Sequence, residues 1–171
     1  MIFLITSNST TNAHIQFLNK LREHKTNIAS YSIVDTSLEV LPFSGISSQS
    51  NIISEIVYRY EDESSLGKET IIYYPETCLH PSSQSTLIKQ LIQEYSKNNL
   101  DLYLVSNSDH ILNGLRSNVV TNIIPNSEIS ILFFNDENKI DIKINSNGGI
   151  DIWPNGFFDQ LDADFNTILG I

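Results

Sequence analysis

Apolar positions along the chain switch between two periods: short runs rich in β-branched and aromatic residues, and stripes at helical spacing. Residues 2–6 form such a run and predict a strand, with a polar Ser/Thr/Asn loop at 7–12 behind it. Residues 13–24 set Ile15, Leu18 and Leu21 on one helical face with Phe17 beside it, and Thr11 or Asn12 suits the N-cap. A second apolar stretch at 28–34 predicts another strand, followed by a short alternating piece, Leu38, Val40 and Leu41. Residues 45–60 carry Ile52, Ile53, Ile56, Val57 and Tyr60 as a helical stripe, opened by serines and Gln49. An acidic connection at 61–67 leads onward.

The chain is organised around residues 70–84. Ile71, Ile72, Tyr73 and Tyr74 predict a buried strand, Pro75 stops it, and Glu76 follows at its carboxyl end. In an open α/β sheet that edge is where ligands and catalytic carboxylates sit. The Leu79-His80-Pro81 turn opens a helix over 82–96, with Leu87, Ile88, Leu91, Ile92 and Tyr95 as its stripe. Residues 100–105 predict another buried strand. Residues 106–110 lie at its end, where Ser108 or Asp109 caps a short helix containing Ile111, Leu112 and Leu115.

From Ile129 the pattern becomes short strands, 129–134, 139–144 and 150–153, joined by Asn/Asp/Gly turns, an antiparallel meander. The aromatics Trp153, Phe157 and Phe158 are expected to fold back onto the body. The expected fold is α/β: about four mainly parallel strands flanked by helices, with a small C-terminal antiparallel β element. Residues 1–125 would form the α/β domain and 126–171 a β-rich extension packed on it.

Composition narrows the function. With 20 acidic against 10 basic residues, the net charge of −10 argues against direct nucleic-acid binding, because phosphate repulsion acts before any specific contact. No stretch is long and apolar enough for a membrane span or a signal peptide, and the single cysteine, Cys78, suggests a cytoplasmic protein without an internal disulfide. A phosphate-binding loop needs glycines for close backbone approach and a lysine to reach the phosphates. Residues 6–13 contain neither, and no other stretch fits. The polar loop there can bind a small anion at a helix N-terminus or simply cap the helix.

Four stretches carry a resemblance. Residues 73–84, YYPETCLHPSSQ, lie over a motif reading E-N-P-E-x-H-L-H-P-x-x-Q. Residues 106–113, SNSDHILN, match T-H-S-D-H-I-L-N, and residues 153–160, WPNGFFDQ, match W-P-x-G-F-F-D-Q. Ser48-Gln49 is similar to a worn signature loop. Over about residues 40–171 the chain thus resembles the C-terminal half of bacterial ABC/SMC-like AAA ATPases, a P-loop-NTPase-like half followed by a small domain of unknown function. The departures matter more. The position of the family's first Walker B acid, a magnesium ligand, holds Tyr73, and a neutral phenol is a poor ligand for a hard cation. The position of the switch histidine holds Asn107, the signature loop keeps only Gly45, and of the catalytic set Glu76 alone remains.

The resemblance therefore implies a pseudo-ATPase, a structural or regulatory subunit that binds a protein, either an intact ATPase or a second copy of itself. ATP and magnesium would enter only if a partner supplied the phosphate loop, and no other cofactor is expected. Such a subunit suits a bacterial defence or DNA-maintenance complex. Residues 44–50, 76–81 and 107–110 would form the docking edge, with Ser48, Gln49, His80, Asn107 and Asp109 as its switch-like positions. The alternative is a metal-dependent hydrolase or nucleotide-binding protein using Glu76 and Asp109. Each residue also has a plainer reading: Glu76 in a salt bridge or cap, His80 satisfying local backbone, Asp109 as a helix cap. Glu76, Cys78, His80, Asp109 and His110 match no known metal signature by spacing, and no His/Asn pattern supports Cys78 as a nucleophile.

Overall fold

Ile2, Leu4 and Ile5 are wholly buried because β1 (Ile2–Ser7) runs through the interior of the sheet. The computed structural model describes residues 1–8, 31–35, 49–135 and 138–170. Six strands form one sheet in the order β2-β3-β4-β1-β5-β6. Here β2 is Tyr31–Asp35, β3 Glu69–Tyr73, β4 Leu102–Val105, β5 Ile129–Asn135 and β6 Asn138–Ile142. The first five strands in that order pair in parallel, and β6 closes the sheet antiparallel to β5. The fold is α/β, as the alternation of strand and helix patterns predicts.

Among the described residues three helices pack on one face. Helix α1 (Gln49–Ser65) buries Ile52, Ile53, Ile56 and Tyr60, and runs one turn beyond the predicted stripe. The extra turn is held by Ser64, which is buried and accepts a hydrogen bond from Asn98 Nδ2 at 2.9 Å. Gly67, at φ 74°, then reverses the chain into β3. Helix α2 (Pro81–Asn98) begins as its sequence dictates. His80 is the N-cap, its Nδ1 accepting from the Ser82 N–H, and Pro81 follows where a missing N–H costs nothing. Asn99 in the left-handed conformation ends it, donating its N–H to the Tyr95 carbonyl. Helix α3 (Asp109–Val120) packs on α2, with Gly114 set close against Ile88, and buries Ile111, Leu112 and Leu115. The opposite face carries a second apolar layer of Ile5, Ile71, Tyr73, Tyr103, Val105 and Phe134, with Phe3 stacked on Tyr103 at 4.8 Å.

The C-terminal region departs from the expected meander. Strand β5 joins the main sheet beside β1, Ile2 facing Ile129 and Ser7 facing Phe134, and only β6 is antiparallel. Residues 150–153 form no strand. A single bridge joins Ile144 to Ile150, because Asp151 Oδ1 captures the N–H groups of Lys143 and Ile152 and Pro154 has none to offer. At the intervening turn a Cβ on Gly148 would lie 2.6 Å from Val120 Cγ2, so only glycine fits. The sequence pattern also left unpredicted a final helix, α4 (Gln160–Leu169). The predictions for 9–30, Leu38, Val40 and Leu41, Gly45 and Ser48 lie outside the described residues. Among the described residues no helix is long and apolar enough to cross a membrane.

Candidate functional site

Because β1, β3, β4 and β5 are parallel, Ser7, Tyr73, Val105 and Asn135 all end at one edge of the sheet. The loops leaving these strands are tied together by short polar side chains. Asn107 Oδ1 accepts from Thr6 Oγ1 at 2.9 Å and from the Ser7 N–H at 3.4 Å. Asn107 also donates its own N–H to Glu76 Oε1 at 3.4 Å. One residue thus links the ends of β1, β3 and β4. Asn8 Nδ2 reaches Asn135 Oδ1 at 2.8 Å and adds β5 to the set.

The loop from β3 to α2 is strained and then clamped. Tyr74 and Cys78 have φ of 50° and 64°, a region that costs a non-glycine residue on the order of 1 kcal/mol each. Gln49, from the start of α1, spans the loop. Its Nε2 donates to the Cys78 carbonyl at 3.1 Å and its Oε1 accepts from the His80 N–H at 2.6 Å. Buried Gln84 does the same from α2, donating to the Leu79 carbonyl and accepting from Ser108 Oγ at 2.6 Å. Gln49, Glu76, His80 and Asn107 are therefore gathered by this edge. Gln84 and Ser108 lie within the quoted motifs, but only the folded chain gives them a role, since their bond joins residues 24 apart.

Glu76 follows buried Pro75, and its Oε2 is buried without a hydrogen-bond partner among the described residues. Burial pushes the carboxyl above the usual carboxylate range. The N–H groups of Glu76 itself and Asn107 and the Ser106 hydroxyl offset part of that. Tyr73, three residues earlier, is turned into the second apolar layer, where burial and then the nearby Asp35 push its phenol well above the normal range. The phenol stays neutral at any physiological pH. It offers no anionic oxygen to a metal ion.

Asp109 opens α3 and stays half-exposed, 3.6 Å from His110. Ser108 is the N-cap by backbone position, yet its side chain makes no capping bond because it is engaged with Gln84. Cys78 is exposed at the crest of its loop. No group of three or more His, Cys, Asp or Glu side chains among the described residues is placed to hold a metal ion.

A cleft of about 350 Å³ opens over the ends of β1 and β4. Asn8, Asn107 and Asp109 form one wall, and the C-terminal segment forms the other with Phe158, Asp159 and Leu161. That segment is anchored by Phe157, which is wholly buried and meets Phe133, Trp153 and Phe158 edge-on at 5.4, 5.2 and 4.9 Å. Trp153 itself is 49% exposed, so the aromatic group docks through Phe157, with partly buried Phe158 packed beside it, and not through the indole. Among the described residues that line the cleft, two are acidic and none is lysine or arginine, a setting that disfavours a triphosphate.

Glu76 yields a prediction with a definite sign. Its folded-state carboxyl is raised, so the native protein holds the proton longer than the unfolded chain. The associated stability is present below the unfolded pKa and is lost as pH rises through the folded one. Glu76→Gln is expected to raise stability by about 1 kcal/mol at neutral pH, the scale of a buried unpaired polar group, and to leave it unchanged near pH 4. Urea denaturation at the two pH values checks this.

A family model described as a protein of unknown function (DUF3696) matches residues 124–168, about a quarter of the chain. The match runs from the segment before β5 through the aromatic turn and into α4. No curated protein and no solved structure matches the chain.

Proposed function

We propose that this chain is a non-catalytic, ATPase-like subunit that docks the carboxyl edge of its sheet onto a protein partner, an intact ATPase of the resembled class or a second copy. The observation that carries this reading is the divergent fate of two acid positions. Glu76 persists at the end of β3, held by Asn107, while the neighbouring metal-ligand position has become Tyr73 and faces the apolar layer. Strand β4 lies between β1 and β3, so the ends of all three strands face the same edge. Among the described residues the cleft above them has no basic lining side chain. What remains is a shaped edge, clamped by Gln49, Gln84 and Asn107, that can hydrogen-bond to a protein without a phosphate between the two.

The isolated protein is expected neither to bind nor to hydrolyse Mg-ATP. A ligand at about 100 times its Kd would add about 2.7 kcal/mol to stability. Thermal melts with Mg-ATP and with Mn²⁺ should instead overlay the ligand-free curve. The tagged chain should co-purify an ATPase with a complete phosphate loop, or itself by light scattering. Cys78→Arg with Asp109→Arg, the first exposed and the second half-exposed on that edge, should abolish the association and leave the melt unchanged. Micromolar Mg-ATP affinity, or turnover lost in Glu76→Gln, would establish the hydrolase alternative.

A further inference from the structure

Among the described residues nothing buries a side of helix α4. All ten residues of Gln160–Leu169 are exposed. Its spacing is nevertheless that of a helix made to dock. Leu161, Phe165, Ile168 and Leu169 stand at i, i+4, i+7 and i+8, a stripe about 100° wide, and are 56, 50, 75 and 66% exposed. By the same geometry Asp162 borders one side of the stripe and Asp164 the other, while Ala163, Asn166 and Thr167 form the back. The helix contains no lysine, arginine or histidine.

A helix of this length without a packed face is marginal in water. This one is nonetheless well defined at both ends. Before it, buried Phe157 pins the chain to the core, and Asp159 Oδ2 accepts from the Gly156 N–H at 2.7 Å. After it, Gly170 takes the left-handed conformation at φ 69° and returns its N–H to the Asn166 carbonyl. The chain thus presents a pre-shaped apolar stripe on a fixed base.

Charge selects among occupants. A membrane surface would meet two aspartates at the borders of the stripe, where interfacial helices carry lysine and arginine, and anionic headgroups would repel them. A second copy packed face to face would set identical aspartates against each other, between chains of net charge −10. A groove with basic rims suits both the stripe and its borders. We propose that α4 is a ligand helix for an apolar groove on a different protein, rimmed on both sides by lysine or arginine. This does not depend on the docking of the sheet edge.

The test places the photo-crosslinking residue p-benzoylphenylalanine at Phe165 of the full chain in its native cells, and identifies the crosslinked peptide by mass spectrometry. The expected product joins α4 to one other protein, on a surface whose apolar residues are flanked by lysine or arginine. Its yield should fall at least tenfold with Ile168→Asp, and equally with the pair Asp162→Lys and Asp164→Lys. All these positions are exposed, so thermal melts should be unchanged. Crosslinks only to the chain's own body, to a second copy or to lipid would overturn the proposal. So would no crosslink, a partner surface without basic residues, or full yield in the charge-reversed pair.

Discussion

Phe157→Ala is expected to destabilise the protein by about 3–5 kcal/mol, as large aromatic-to-alanine changes in a core do. For a chain of 171 residues that corresponds to a fall in Tm on the order of 10 °C. The effect is large because Phe157 has no exposed surface and packs edge-on against three aromatic rings, one of them Phe133 of the central sheet. Its removal opens a cavity beneath the cleft wall and also frees the turn that leads into α4. Trp153→Ala is the contrast. Trp153 is half-exposed and meets buried Phe157 edge-on, so its loss should cost about 1 kcal/mol. Urea melts of the two variants give the comparison directly. Equal and small losses would show that the 153–159 segment lies on the body without contributing to its stability.

Tyr73→Glu would place a carboxylate at the end of β3, and it is expected to destabilise the fold by about 4 kcal/mol at neutral pH. The side chain at this position is 2% exposed and lies among Ile5, Ile71, Tyr103, Val105 and Phe134. A carboxylate there would lose its hydration, so its pKa would rise far above the unfolded value. The penalty is therefore smallest below the unfolded carboxyl pKa and grows as pH rises toward neutrality. Denaturation of wild type and variant at pH 4 and pH 7.5 separates this from simple loss of the ring, which is independent of pH. A variant as stable as wild type at neutral pH, or stabilised by Mg²⁺, would mean that the side chain at position 73 can leave the apolar layer and face the edge.

Much of the candidate edge was legible from local chemistry. The apolar run ending at Pro75, the acid at Glu76 and the His80-Pro81 start of α2 all follow from residues adjacent in sequence. Period, breakers and caps act over a few residues, and no tertiary partner can easily override them. The parallel character of the sheet was also readable, since strands separated by helical stripes must cross over to pair. The aromatic count in 153–158 showed that something there would dock.

Which ring docks was decided only by the fold. Trp153 and Phe157 are equally apolar in sequence, but only Phe157 lies over Phe133. The same holds for β5. Its alternating pattern fits an antiparallel meander as well as a strand beside β1, and pairing to residues more than a hundred positions away settles the matter. The clamp formed by Gln49 on Cys78 and His80 and the turning of Tyr73 away from the edge are likewise long-range outcomes. For α4 the division runs the other way. Its i, i+4, i+7 spacing is present in the sequence, yet an apolar stripe alone says only that a face will be covered. The tertiary structure shows that this chain's own described elements do not cover it, because the buried Phe157 turn directs the helix outward.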